Sequence, residues 1–139
     1  MHRERQRRGP NTMSIQLDHT IVSARDPRAS AAFFVEVLGL APPVEFGPFH
    51  GVALDNGVTL DFIQDDGELV VQHYAFRVGD AEFDAILKRI RERGLIYSAD
   101  PAQRRPGEID HAGGVRRVYW DDPNGHRLEI FAQGDSGAG

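Results

Sequence analysis

Hydrophobic and polar residues follow the same order twice along the chain. Residues 17–26 have the composition of a strand, and apolar residues then recur at helical spacing up to Gly39. Residues 71–80 and the helical stretch up to Gly94 repeat this order. In each copy a histidine lies on the strand, an aspartate follows seven residues later, and a Gly-Leu pair closes the helix. An internal repeat of this length predicts two copies of one structural unit.

Local signals mark both ends of each predicted helix. Asp26 is placed to cap the first helix, with Pro27 at its first position, and Asp80 is placed to cap the second. Gly39 and Gly94 suit the position just after a helix, because glycine adopts the left-handed backbone conformation there at little cost.

More strands follow the helix in each half, and each final strand comes after a turn signal. The turn signals are Asp-Asn-Gly at 55–57 and Asp-Pro-Asn-Gly at 122–125. The strand-like segments are 44–46, 51–54 and 57–63 in the first half, and 95–98, 117–121 and 125–131 in the second. The predicted fold is α+β, with two βαβββ modules in a pseudo-twofold repeat that forms a curved mixed sheet around a cleft.

The modules set the predicted domain boundaries. The first module covers residues 13–64 and the second covers 71–132, with 65–70 as a linker. Residues 133–139 are predicted to be a flexible tail, and residues 1–12 a disordered basic extension. The segment 98–116 is rich in Pro and Gly and has little periodicity, which fits either a functional lid or a mobile insertion.

Composition excludes several classes of protein. The chain has no cysteine, which rules out disulfides, thiolate zinc sites, iron–sulfur clusters and a cysteine nucleophile, and fits a cytoplasmic protein. Its net charge is -5 although its first 12 residues are basic, so the body is acidic and we expect no nucleic-acid partner. No apolar run approaches the length of a membrane span, and we expect no membrane partner.

Each module carries one histidine on its first strand and one carboxylate on its last. These residues are His19 and Asp61 in the first module, and His73 and Glu129 in the second. Strand alternation places all four on the sheet faces opposite the apolar residues that should pack under the helices. Two imidazoles and two carboxylates suit a divalent metal such as Fe, Mn, Ni, Co or Zn, and leave two octahedral positions for substrate.

Other residues share those faces by the same alternation. Arg77 and Arg127 suit an anionic small-molecule substrate, although each could instead pair with an acid such as Asp61 or Asp121. Thr59 and Phe131 complete the candidate substrate-binding set. His126 and His111 are expected at the surface, and Trp120 in the core.

Three segments resemble the vicinal oxygen chelate superfamily, and together they span about residues 15–132. They are Leu17-Asp18-His19-Thr20-Ile21-Val22, Gln72-His73-Tyr74-Ala75-Phe76-Arg77-Val78 and Asp121-Asp122-Pro123-Asn124-Gly125-His126-Arg127-Leu128-Glu129-Ile130-Phe131. That superfamily includes glyoxalase I, extradiol dioxygenases, methylmalonyl-CoA epimerase, fosfomycin-modifying enzymes and bleomycin-binding proteins. The resemblance implies a homodimer of paired modules with metal ligands at His19, His73 and Glu129. Asp61 stands where glyoxalase I carries Glu and the epimerase Gln.

The resemblance leaves three functions open. The first is a metal-dependent lyase or isomerase, in which the metal is a Lewis acid on vicinal oxygens and Glu129 or Asp61 is the catalytic proton carrier. If the shorter Asp61 does not bind the metal, a set of two His and one carboxylate remains, which suits an Fe(II) extradiol-type dioxygenase. The third is a non-enzymatic drug-binding protein of the bleomycin type. The site could lie within one chain or across a dimer.

Overall fold

The computed structural model describes residues 14–133, which fold into two βαβββ modules, as predicted. The first module contains β1 (His19–Ala24), α1 (Pro27–Leu38), β2 (Val44–Phe46), β3 (Phe49–Ala53) and β4 (Thr59–Gln64). The second contains β5 (His73–Arg77), α2 (Asp80–Glu92), β6 (Tyr97–Ser98), a short 3-10 helix (Ala112–Gly114), β7 (Val115–Asp121) and β8 (Arg127–Gln133). Between residues 14 and 133, no helix is long and apolar enough to cross a membrane.

The strands form two four-stranded mixed sheets, in the orders β1-β4-β3-β2 and β5-β8-β7-β6. In each module the first and last strands are parallel neighbours, whereas the other pairs are antiparallel. The register sets Ile21 opposite Asp61, and Ala75 opposite Glu129. Each histidine strand therefore lies directly beside the carboxylate strand of its own module.

Helix α1 begins and ends at the predicted residues. The Asp26 carboxylate accepts a hydrogen bond from the Ala29 amide at 3.1 Å, and Pro27 follows it. Gly39 ends the helix with a φ of 76°, and a Cβ there would lie 2.7 Å from Nη1 of Arg89. Gly39 therefore provides both the left-handed turn and the room for close approach of the second module.

The cap predicted for α2 is wrong. Gly79 occupies the cap position and no side chain caps the helix. Asp80 is instead the first helical residue, and its carboxylate accepts a hydrogen bond from Nη2 of Arg116 at 3.1 Å. The Asp80 carboxylate, which the sequence pattern assigned to capping α2, therefore pairs with Arg116 of β7 instead.

The two modules share one hydrophobic core, formed by the helices and by the sheet faces beneath them. Phe34 packs edge-to-face on Phe62 of its own module, with ring centroids 4.8 Å apart, and contacts Tyr74 of the other module at 6.5 Å. Trp120 is fully buried in this core, as predicted. Because the helix sides of both sheets face inward, their opposite faces are turned to the outside of the chain.

Two of the predicted boundaries concern residues at the ends of the chain. The predicted basic extension at 1–12 and residues 134–139 of the predicted tail lie outside the described residues. Gln133, which we assigned to the tail, belongs to β8.

The long segment after β6 folds back on its own module. Isolated bridges join Ser98 to Pro106 and Asp110 to Arg117. The Asp100 carboxylate accepts hydrogen bonds from the Ser98 hydroxyl at 2.7 Å and from the amides of Arg104 and Arg105. The segment is thus built around a carboxylate anchor.

The anchor predicts an acid-sensitive segment. The Ser98 hydroxyl, together with backbone amides, lowers the pKa of Asp100 from 3.8 to about 2. Since the native pKa is depressed, stabilisation by this carboxylate is complete above pH 3.8 and is lost as the pH falls through about 2. The amide shifts of Arg104 and Arg105 should titrate with a midpoint near the lower value, and Asp100→Asn should abolish that titration. A midpoint at the ordinary aspartate value would contradict the anchor.

Candidate metal site

His73 and Glu129 form the best-defined part of the site. Nε2 of His73 lies 2.9 Å from Oε1 of Glu129, with the histidine on β5 and the carboxylate on neighbouring β8. The Glu129 side chain is 11% exposed and that of His73 is 47% exposed. Nε2 carries the proton in this contact, because a carboxylate can only accept. A metal bound by both groups takes the place of that proton.

Arg117 is a neighbour of this pair that the sequence pattern did not identify. Its Nε lies 2.8 Å from Oε2 of Glu129, an ion pair without hydrogen-bond alignment. Alternation on β7 could have found it, because Val118 and Trp120 are buried on the other face. Arg117 leaves Oε1 of Glu129 facing His73.

His19 and Asp61 lie on the neighbouring strands β1 and β4 of the first module. Nδ1 of His19 is 2.8 Å from the Asp18 carboxylate, and this hydrogen bond raises the pKa of His19 above its usual value of 6.5. Nδ1 must therefore be the donor, which leaves Nε2 free. Metal-binding histidines commonly make this second hydrogen bond to a carboxylate.

Asp61 is buried, with 7% of its surface exposed, and its Oδ1 has no hydrogen-bond partner within residues 14–133. A buried carboxylate oxygen without a partner is costly unless a cation or a proton donor reaches it. This orphaned oxygen, the free Nε2 of His19 and the His73–Glu129 pair together fit a divalent metal. The residues that would hold it are His19, Asp61, His73 and Glu129, and their role as ligands stays a prediction.

One chain does not bring the four residues together. Within residues 14–133, no group of three His, Asp or Glu side chains is close enough to hold a metal ion. His19 and Asp61 lie on the outward face of one sheet, and His73 and Glu129 on the outward face of the other. The chain therefore presents two half-sites.

Tyr119 borders the second half-site. Its ring meets the His73 ring edge-on, with centroids 6.1 Å apart. Burial, and then the nearby Glu129 carboxylate, raise the pKa of Tyr119 above 10.0. Tyr119 is therefore a hydrogen-bond donor at neutral pH.

The predicted substrate residues have different surroundings. The guanidinium carbon of Arg77 lies 5.5 Å from the Phe131 ring centroid, and that of Arg117 lies 5.7 Å from it. These three residues help to line a cavity of about 350 Å³. Arg127 is instead paired with Asp121 at 2.5 Å, one of the acids considered above, and Thr59 is paired in register with His19.

Comparison with known proteins decides the family. The family model described as the Glyoxalase/Bleomycin resistance protein/Dioxygenase superfamily matches residues 16–130. The chain belongs to this superfamily. The resemblance found in the sequence is thereby confirmed, and it covers both half-sites.

Solved structures of this superfamily show the same fold. The chain is 57% identical to a protein named Oxidase ChaP-H1, with a TM-score of 0.83, over 86% of this chain and 96% of that one. It is 50% identical to Oxidase ChaP-H2, with a TM-score of 0.85, over 91% and 100% of the two chains. A glyoxalase/dioxygenase from Nostoc punctiforme, at 19% identity, has a TM-score of 0.64 over 90% and 99%, a likeness of fold alone.

The orphaned oxygen of Asp61 predicts a stabilising substitution. In metal-free protein, Asp61→Asn should raise the free energy of unfolding by about 1 kcal/mol, because it removes the charge from a carboxylate whose Oδ1 is buried without a hydrogen-bond partner in the described residues. Denaturant unfolding of both proteins measures this, with Asp55→Asn at an exposed turn as the unchanged control. A destabilised Asp61→Asn would mean that the carboxylate is already compensated. Metal affinity of the same variant tells whether Asp61 is a ligand.

Proposed function

We propose that this chain is a metal-dependent oxidase acting on a small substrate with two neighbouring oxygens. His19, His73 and Glu129 are the metal ligands in this proposal, since two histidines and one carboxylate suit Fe(II). The observation that carries it is the 2.9 Å contact between His73 and Glu129. His19 occupies the same place on the first strand of the other module. The names of the two relatives at 57% and 50% identity support oxidation.

A second copy of the chain is part of the proposal. The face that holds His19 and Asp61 also exposes apolar side chains that no other residue within 14–133 covers. They include Leu17, Ile21, Val44 and Phe46, which are 66%, 51%, 66% and 47% exposed. Such a surface is typical of an interface. In a homodimer, the half-site of one chain would face the His73–Glu129 half-site of its partner.

The chain's own residues supply binding and proton control. When bound, the metal supplies Lewis acidity toward the substrate oxygens and, as iron(II), electrons for dioxygen. The Tyr119 phenol donates a hydrogen bond beside His73, because its raised pKa keeps it protonated. Asp61 is the base for a substrate hydroxyl, because its Oδ1 has no competing partner. The guanidinium of Arg77 at Phe131 attracts an anionic substrate.

Asp61 also favours a second candidate, a lyase or isomerase. In this function, the metal polarises vicinal oxygens while Asp61 or Glu129 carries a proton next to a carbonyl. The unpaired Oδ1 of Asp61 serves this reaction as well as the first. The two candidates differ in their need for dioxygen.

Metal loading and oxygen uptake test the proposal. Metal-free protein is loaded anaerobically with Fe, Mn, Co, Ni or Zn, and each sample is given a panel of catechols with and without dioxygen. The proposal predicts oxygen uptake by the iron form that stops in Glu129→Gln. Turnover of α-hydroxy or α-keto compounds without dioxygen, in the Ni, Co or Zn forms, would contradict it and support the lyase or isomerase. Failure to bind any metal would contradict both enzyme functions and favour the third function, a drug-binding protein.

A further inference from the structure

The turn between β7 and β8 joins the two modules. The Asn124 side chain accepts a hydrogen bond from the Arg25 amide at 2.9 Å and donates one to the Ser30 hydroxyl at 2.8 Å. Both of these partners lie in the first module. Asp122 shapes the turn, because its carboxylate accepts hydrogen bonds from the amides of Asn124 and His126.

His126 makes the deepest of these contacts, which corrects its expected place at the surface. It is fully buried. Its Nδ1 accepts a hydrogen bond from the Gln72 amide at 3.0 Å, and its Nε2 lies 2.8 Å from the Ser23 carbonyl oxygen. Since an amide only donates and a carbonyl only accepts, the ring must be neutral with its proton on Nε2.

Each hydrogen-bond partner of His126 lies close in the chain to a histidine of one half-site. Gln72 immediately precedes His73, and the Gln72 carbonyl accepts a hydrogen bond from the Arg127 amide at 2.8 Å. Ser23 lies on β1, the strand that carries His19. One buried ring therefore links the residue just before β5 to the penultimate residue of β1.

We propose that His126 is a positioning residue that sets His73 against Glu129 through the Gln72 amide. The inference rests on the proposed function in that His73 is a metal ligand there. Without the Nδ1 acceptor, the Gln72 amide has no partner, and Gln72 is held only through its carbonyl, by the Arg127 amide, one residue before His73. The contact to Ser23 instead holds the modules together and has no direct path to His73.

Two substitutions separate these contacts. The amide of asparagine reaches the δ position of histidine, so His126→Asn keeps an acceptor for Gln72 and loses the donor to Ser23. The amide of glutamine reaches the ε position, so His126→Gln keeps the donor to Ser23 and loses the acceptor for Gln72. Each variant removes one buried hydrogen bond, which makes them matched controls of each other.

Two readouts test the inference. In metal-free, ¹⁵N-labelled protein, NMR follows the Gln72 amide and the protonated Nε2 of His73. His126→Asn should keep both signals at their wild-type positions, whereas His126→Gln should shift both. Zinc affinity, measured by competition with a chromophoric chelator, should fall by about 10–100-fold in His126→Gln and stay near wild type in His126→Asn.

Equal effects of the two variants would overturn the inference, because His126 would then act only on overall stability. Wild-type His73 signals in His126→Gln would overturn it as well. If the wild-type protein bound neither zinc nor iron(II), manganese, cobalt or nickel, the proposed function would fail, but the metal-free NMR signals would still decide the role of His126. Denaturant unfolding of each variant shows that the comparison is made on folded protein.

Discussion

Glu129→Ala and His73→Ala are each expected to weaken divalent metal binding by on the order of 100-fold or more. Changes to residues behind a metal ligand already cost about 10–100-fold, so loss of a ligand should cost at least that. Both residues belong to the one closely paired half-site, at 2.9 Å. His19→Ala should have an effect of the same size, because the free Nε2 of His19 is the candidate metal ligand of the first module. Isothermal titration with Co²⁺ or Zn²⁺ measures all three.

Two controls make this result specific. Glu129→Gln keeps the size of the side chain and removes its charge, so a similar loss of affinity, in a variant shown to be folded by denaturant unfolding, comes from the lost carboxylate. His111→Ala removes an exposed histidine and should leave the affinity unchanged. Wild-type affinity in Glu129→Gln would contradict the charged carboxylate of Glu129 as a metal ligand.

Phe34→Ala is expected to lower the free energy of unfolding by about 3–5 kcal/mol. Phe34 is fully buried and packs on Phe62 of the first module and Tyr74 of the second. Its loss leaves a cavity in the core that both modules share, so the whole chain should unfold at lower denaturant in one transition. Urea unfolding followed by circular dichroism measures the change.

The matched control for this cavity is Ile96→Ala. Ile96 is as apolar but is 69% exposed, so the change should stay within about 0.5 kcal/mol. Two separate transitions in Phe34→Ala, one for each module, would contradict a shared core.

The repeat in the sequence predicted the fold well, because the pairing of strands and helices follows the periodicity of apolar residues. The apolar positions of β4, β5 and β8 pack under the helices as alternation requires, with Leu60, Phe62 and Ile130 buried. Asp26 and Gly39 act locally, within one turn of chain, so their roles could also be predicted. Asp80 could not, because its partner Arg116 is distant in sequence.

The site was predicted only as far as it depends on strand position. Alternation identified the faces of His19, Asp61, His73 and Glu129, but not how the two faces meet. That depends on packing between modules and, in the proposed dimer, on a second chain, and neither leaves a periodic signal. His126 was expected at the surface, although its ring is buried and reaches the Ser23 carbonyl of the first module, a contact distant in sequence.

Subunit mixing tests most directly whether two chains complete the site. His19→Ala and Glu129→Ala, each inactive in metal binding, are unfolded together at equal amounts and refolded. In a dimer with a shared site, half of the molecules are mixed, and each of these carries one site with both halves intact. We therefore expect about a quarter of the wild-type sites to return, as tight metal binding and as activity. Complete absence of tight binding in the refolded mixture, with mixed dimers present by mass spectrometry, would contradict a site built from two chains.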